Sequence, residues 1–146
     1  MISKSVMNDI KYFIIDEEAE KRELEKYANF TYLFDIWLKN MEKGKNVSSY
    51  FERNGYKKIV VYGMGMIGKH IVEQLKDTNI QVLYTIERGV ISASGKVYTS
   101  TEIDKLEEKP DVIVVTPLME YVAIKEMLFN KYKCDIVSAE EVILSV

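Results

Sequence analysis

Cysteine and histidine each occur once in the 146-residue chain, as Cys134 and His70. A lone cysteine excludes an internal disulfide and a cysteine-based zinc cluster. With a single histidine, a metal site would rest almost entirely on carboxylates, and no carboxylate cluster has ligand spacing. Proline occurs twice, at Pro110 and Pro117, and no glycine precedes Gly44. Lysine and arginine total 20 against 23 acidic residues, a net charge of −3, and no basic block is present to neutralise nucleic-acid phosphates. Long apolar runs are also missing. The most apolar stretch, "YANFTYLFDIWL", is interrupted by Asp35 and too short to span a bilayer. The first residues show no apolar signal region and no small-residue cleavage site. These absences predict a cytoplasmic chain that binds neither nucleic acid nor membrane.

What is present is an ordinary globular composition, 47% hydrophobic and 29% charged, in a length that suits one core. Residues 1–55 read as a helical extension. Asp16 is the expected N-cap of a helix over 17–43, with Glu17, Glu18 and Glu20 at the positive end of its dipole. Leu24, Tyr27, Ala28, Thr31, Phe34, Leu38 and Met41 recur at steps of three and four, beside a second apolar row of Phe30, Leu33 and Trp37. A helix this broadly apolar packs against more than one surface. Core packing is one outcome, and a homodimer or docking interface is the other. "NVSSYFERNG" reads as a short helix stopped by Asn54-Gly55.

From residue 56 to 146 strands and helices alternate. "KKIVVYG", "IQVLYTI", "DVIVVT" and "CDIVS" read as strands, the third apolar enough to be covered on both faces. Cys134 is expected to act as a small buried hydrophobe there. "GKHIVEQLKD" reads as a helix with Ile71, Val72 and Leu75 inward. "VYTSTEIDKLEE" reads as a short strand and then a helix start, with Thr99 and Glu102 in capping-box spacing. Pro117 is expected at the first turn of the helix "LMEYVAIKEMLFNKY". Ser138 and Glu141 form a capping box for a closing helix. The alternation predicts an α/β fold: a small, doubly wound parallel sheet of Rossmann-like type behind the helical extension.

The chemistry sits in "VVYGMGMIGKHI". Gly63-Met64-Gly65-Met66-Ile67-Gly68 has the G-x-G-x-x-G spacing of a dinucleotide-binding turn, after a strand and before a helix. In that motif Gly63 makes the tight turn, Gly65 leaves room for a pyrophosphate, and Gly68 lets the helix approach the strand. The helix N-terminus then offers free N–H groups to the phosphate. Glu87, nineteen positions after Gly68, ends the next strand where an acid bonds ribose hydroxyls, and Arg88 beside it accepts a 2′-phosphate. Glu87 favours NAD and Arg88 permits NADP. Met64, Met66, Ile67 and Thr116, at the end of "DVIVVT", complete the candidate cofactor-binding set. A P-loop is excluded because Lys69 is followed by His70 instead of the Ser or Thr that holds Mg²⁺. His70 and Lys69 read as surface residues of the first helical turn. No catalytic residue is assigned, although Tyr121 and Lys125 have the Tyr-x-x-x-Lys spacing of short-chain dehydrogenases.

"KKIVVYGMGMIGKHIVEQL", "VLYTIER", "PDVIVVTP" and "DIVSAEEVI" together resemble a known group. They are similar to the small Rossmann-like domains of bacterial surface-polysaccharide biosynthesis, found at the front of nucleotide-sugar dehydratases, epimerase-like proteins and sugar-modifying acyltransferases. Related domains accompany glycosyltransferases. The resemblance covers about residues 57–144 and carries over Gly63, Gly65, Gly68 and Glu87. It implies a domain that binds NAD(P) or a nucleotide sugar and works with a partner such as a glycosyltransferase or sugar-modifying enzyme, without catalysis of its own. Met64 and Met66 depart from the small residues usual in that loop, and the catalytic halves of those enzymes have no counterpart here. Two alternatives stand beside this reading. One is a minimal NAD(P)-dependent oxidoreductase or epimerase-like enzyme using Tyr121 and Lys125. The other is a non-binding dimeric module built on the aromatic helix from Tyr27 to Met41.

Overall fold

A computed structural model describes residues 3–87, 90–93, 96–99 and 108–146. In chain order the elements are α1 (Lys4–Glu42), α2 (Ser48–Arg53), β1 (Lys58–Tyr62), α3 (Met66–Leu75), β2 (Gln81–Glu87), β3 (Val90–Ala93), β4 (Lys96–Thr99), β5 (Val112–Val115), α4 (Tyr121–Tyr132), β6 (Asp135–Ser138) and α5 (Ala139–Leu144). The chain divides into two compact units, Met1–Asp35 and Ile36–Val146, so α2 and the last turns of α1 belong with the sheet. The expected boundary at 55/56 followed the change in sequence pattern, which marks where strands begin and not where packing begins.

The first unit is helix throughout its described length. Helix α1 is 39 residues long and does not start at Asp16, which lies in its interior. Nothing upstream of Asp16 breaks a helix, since neither glycine nor proline precedes Gly44. Glu17→Lys21 and Glu18→Arg22 also sit at the favourable i,i+4 spacing. Among the described residues no helix is long and apolar enough to cross a membrane.

The second unit is a six-stranded sheet in the order β4-β3-β2-β1-β5-β6. Strands β2, β1, β5 and β6 run parallel. Strands β3 and β4 are antiparallel to their neighbours, so the sheet is mostly and not wholly parallel. The short strand expected in "VYTS" is β4, but it pairs with an unanticipated β3. Ala93 is opposite Lys96, which leaves two residues between the strands, far too few for a parallel crossover. Those two residues, 94 and 95, lie outside the described residues. The helix start expected from Thr99 and Glu102 lies outside the described residues.

Strands β1 and β5 are both interior strands of the sheet, with Ile59, Val60, Val61 and all of Val112–Val115 fully buried. Among the described residues, Leu33 is the one buried apolar side chain outside the second unit. Helix α3 turns Ile71 and Leu75 inward as its spacing predicts, with Val72 half-buried. Gly44 and Gly55, both at φ +73°, follow the ends of α1 and α2 in the left-handed region that favours glycine. Ser138 Oγ accepts from the Glu141 N–H at 3.1 Å and caps α5.

Side chains tie the early helices to this sheet. Trp37 Nε1 donates to Gln74 Oε1 on α3 at 3.0 Å, and Asn40 Nδ2 donates to the Ile143 carbonyl at 3.1 Å. Tyr50 Oη donates to Glu141 Oε1 at 3.2 Å. Burial, helped by that carboxylate, pushes the Tyr50 phenol pKa up. Tyr56 Oη donates to Asp135 Oδ2 at 2.7 Å. That bond, with burial, pushes the Tyr56 phenol up to about 12. Asp111 Oδ2 accepts from the Lys57 and Lys58 N–H groups at 2.8 and 2.9 Å, joining the amino ends of β1 and β5.

Candidate functional site

Chain order and spatial order diverge at β1. The chain passes from β1 to β2 on one side, and β5 takes the other side. A crevice at the carboxyl ends of two such strands is where open α/β sheets bind ligands. The loop Gly63–Gly65 leaves β1 at this point and opens α3.

The three glycines meet three different surroundings. Gly63 has φ +92°, and a Cβ there would stand 2.4 Å from Thr116 Oγ1 and 2.8 Å from Pro117 Cδ. Its N–H donates to the Ile86 carbonyl of β2 at 2.8 Å. A Cβ on Gly68 would lie 2.0 Å from the Gly63 carbonyl oxygen, so only glycine lets α3 start against the loop. Gly65 is the opposite case. It is the extended N-cap of α3, and a Cβ there would meet nothing within 4 Å. Lys69 N–H makes the first helical bond, to the Gly65 carbonyl at 3.1 Å. The amides before it have no carbonyl of their own helix to bond. The loop is therefore packed where the motif needs packing and open where the motif needs space.

Thr116 supports this loop from behind. It is 5% exposed, and its N–H donates to the Tyr62 carbonyl at 2.9 Å. Its hydroxyl proton is shared between the Gly63 and Tyr62 carbonyls at 2.8 and 3.1 Å. The hydroxyl thus faces the loop's own backbone, a positioning role. The same contacts explain why α4 starts at Tyr121, four residues after Pro117: Thr116 and Pro117 are held against Gly63 and belong to the loop support. Sequence reasoning missed this brace, and only the strand-end location of Thr116 hinted at it.

The remaining candidates fall on both sides of the loop. Tyr62 is paired with Ile86, which sets Glu87 level with Gly63 on the neighbouring strand, exposed at the end of β2. Arg88 lies outside the described residues. Met66 is 52% exposed, Met64 is half-buried, and Ile67 is buried beneath the helix start. Lys69 and His70 are exposed. The His70 ring stands edge-on to Trp37, with centroids 6.1 Å apart.

Tyr121 and Lys125 lie one turn apart on α4. The Tyr121 hydroxyl donates to the Ile136 carbonyl at 3.3 Å, and its ring packs against the buried cluster of β1, β2, β3, β5 and α4. Lys125 Nζ lies over the Tyr121 ring face, 5.7 Å from its centroid. Cys134, just before β6, is half-buried, and burial pushes its thiol up to about 11, away from the reactive thiolate. A cleft of about 470 Å³ lined by Glu52, Gly55, Tyr56, Lys57, Asn79 and Ile80 lies at the amino ends of β1 and β2, the opposite end from the glycine loop. Compared with protein-family models, curated proteins and solved structures, the chain has no match.

Proposed function

We propose that the sheet unit is a doubly wound, Rossmann-like binding domain that holds the diphosphate of NAD(P) or of a nucleotide sugar at the glycine loop. The observation that carries this reading is the distribution of space around the three glycines: none at Gly63 and Gly68, open space at Gly65. The free amides of the first turn of α3 and its dipole favour an anion there. Glu87, level with Gly63, supplies an acceptor for ribose hydroxyls, which favours NAD over NADP. The setting proposed with it is a non-catalytic partner of a nucleotide-sugar or glycosyl-transferring enzyme in surface-polysaccharide synthesis. That part rests on the resemblance of residues 57–144 alone.

Thermal unfolding with NAD, NADP, UDP-sugars and ATP in large excess tests the reading. A ligand at one hundred times its dissociation constant stabilises the fold by about 2.7 kcal/mol, several degrees for a domain this size. Gly65→Val should remove that shift while the ligand-free transition stays in place, because the side chain would occupy the diphosphate position. No shift with any of these ligands, or an unchanged shift in Gly65→Val, would remove the glycine loop as the site.

A further inference from the structure

Helix α3 starts at the glycine loop and ends beside the segment that opens the second unit. Its half-buried Gln74 takes donors from three residues of that segment. Gln74 Oε1 accepts from Trp37 Nε1 at 3.0 Å and from the Val47 N–H at 3.4 Å. The Gln74 main-chain carbonyl, among the last four of α3, accepts from Asn46 Nδ2 at 3.0 Å. Trp37 and Val47 are both buried, so packing holds these two donors in place. One turn nearer the loop, the His70 ring stands edge-on to the same Trp37.

These bonds supply what the apolar contacts of α3 do not. Ile67, Ile71 and Leu75 are buried beneath the helix, and apolar burial is non-directional. It sets how close α3 lies to the sheet without fixing its tilt. Hydrogen bonds are directional and weaken steeply once donor and acceptor leave their narrow range of distance and angle. A tilt of about 5° over the roughly 12 Å from Gln74 to the first turn displaces one end against the other by about 1 Å. That is enough to break a bond from a first-turn amide to an anion. Gly68 seats the near end of α3 against the Gly63 carbonyl, and Gln74 anchors the far end. We propose that Gln74 is a positioning residue of the glycine-loop site: held by Trp37 and Val47, it sets the direction in which the first-turn amides meet the diphosphate. This inference rests on the reading of the loop as a diphosphate site.

Calorimetric titration of the full chain with NAD and with UDP-glucose, well below the unfolding transition, tests it. Gln74→Leu removes the acceptor. Trp37→Phe removes the indole donor and keeps an aromatic ring beside His70. Gln74→Glu keeps an oxygen where both donors point. The wild type should bind one of the two probes, and Gln74→Leu and Trp37→Phe should each raise its dissociation constant by at least about fivefold. Combining them should raise it no further than Gln74→Leu alone, because both break one contact. Gln74→Glu should stay close to wild type. A purely structural role would lower the melting temperature and leave the dissociation constant of the folded protein unchanged. That result would overturn the proposal while the loop reading stands, as would additive losses in the double variant. Binding of neither probe by the wild type would remove the loop reading and this inference with it. Circular dichroism checks that each variant is folded, and if Gln74→Leu is not, Trp37→Phe against Gln74→Glu makes the same comparison.

Discussion

At the scale of single residues, the glycine loop separates two requirements that a motif writes with one letter. Gly68 is glycine for packing, and Gly65 is glycine where the fold itself asks for nothing. Gly68→Ala is therefore expected to lose about 1–3 kcal/mol, the usual cost of forcing atoms into a filled space. Gly65→Ala should leave the melting temperature of the ligand-free protein within a degree or two of wild type, and thermal unfolding of both checks the contrast. Equal losses in the two would mean that the open space at Gly65 is not there in solution. Thr116→Val keeps the shape and removes the hydroxyl shared by the Gly63 and Tyr62 carbonyls. It should cost about 1–2 kcal/mol by the same measurement. A variant as stable as wild type would show that Pro117 and the sheet hold the loop without it.

At the scale of elements, Asp111 clamps the amino end of β1 while Thr116 clamps its carboxyl end, so one short strand, β5, fixes both ends of its neighbour. The backbone N–H groups of Lys58 and Lys57 hold the Asp111 carboxyl below its ordinary value of 3.8. A carboxyl lowered in the folded state adds stability that is fully present above its unfolded pKa. That stability is lost as pH falls through the lower, folded value. Acid unfolding of wild type should therefore steepen below about pH 4, and Asp111→Asn should flatten that limb by losing at neutral pH the stability the carboxylate adds there, while changing little in strong acid. Identical acid limbs would count against the clamp. The strands of the parallel core were legible because continuous apolar runs such as "DVIVVT" have one reading, and Gly44 and Gly55 were legible as stops because their φ angles demand glycine. The antiparallel β3–β4 pair was not, because its strands are four residues each and sit amid strand–helix alternation. The start of α4 was misplaced for a different reason. Pro117 suits a first helical turn by local preference, and a tertiary contact with Gly63 overrides the preference.

At the scale of the whole molecule, the buried apolar side chains among the described residues belong to residues 36–146 with the single exception of Leu33. A chain beginning at Ile36 should therefore keep a cooperative thermal transition, which calorimetry would register. A broad, non-cooperative melt would mean that residues before Ile36 are part of the sheet unit's stability. The division also places the whole G-x-G-x-x-G spacing, Gly63 to Gly68, in the second unit. Trp37 stands at the start of the second unit, 3% exposed, bonded through Gln74 to α3 and set against His70 two residues beyond Gly68. It is the only tryptophan in the chain. The protein thus carries one indole fluorophore, shielded from water and touching the helix that the glycine loop opens. Its emission colour and lifetime report on the packing of the end of α1 against that helix, so a ligand that shifts the start of α3 can be read optically in the unlabelled protein without any change to its sequence.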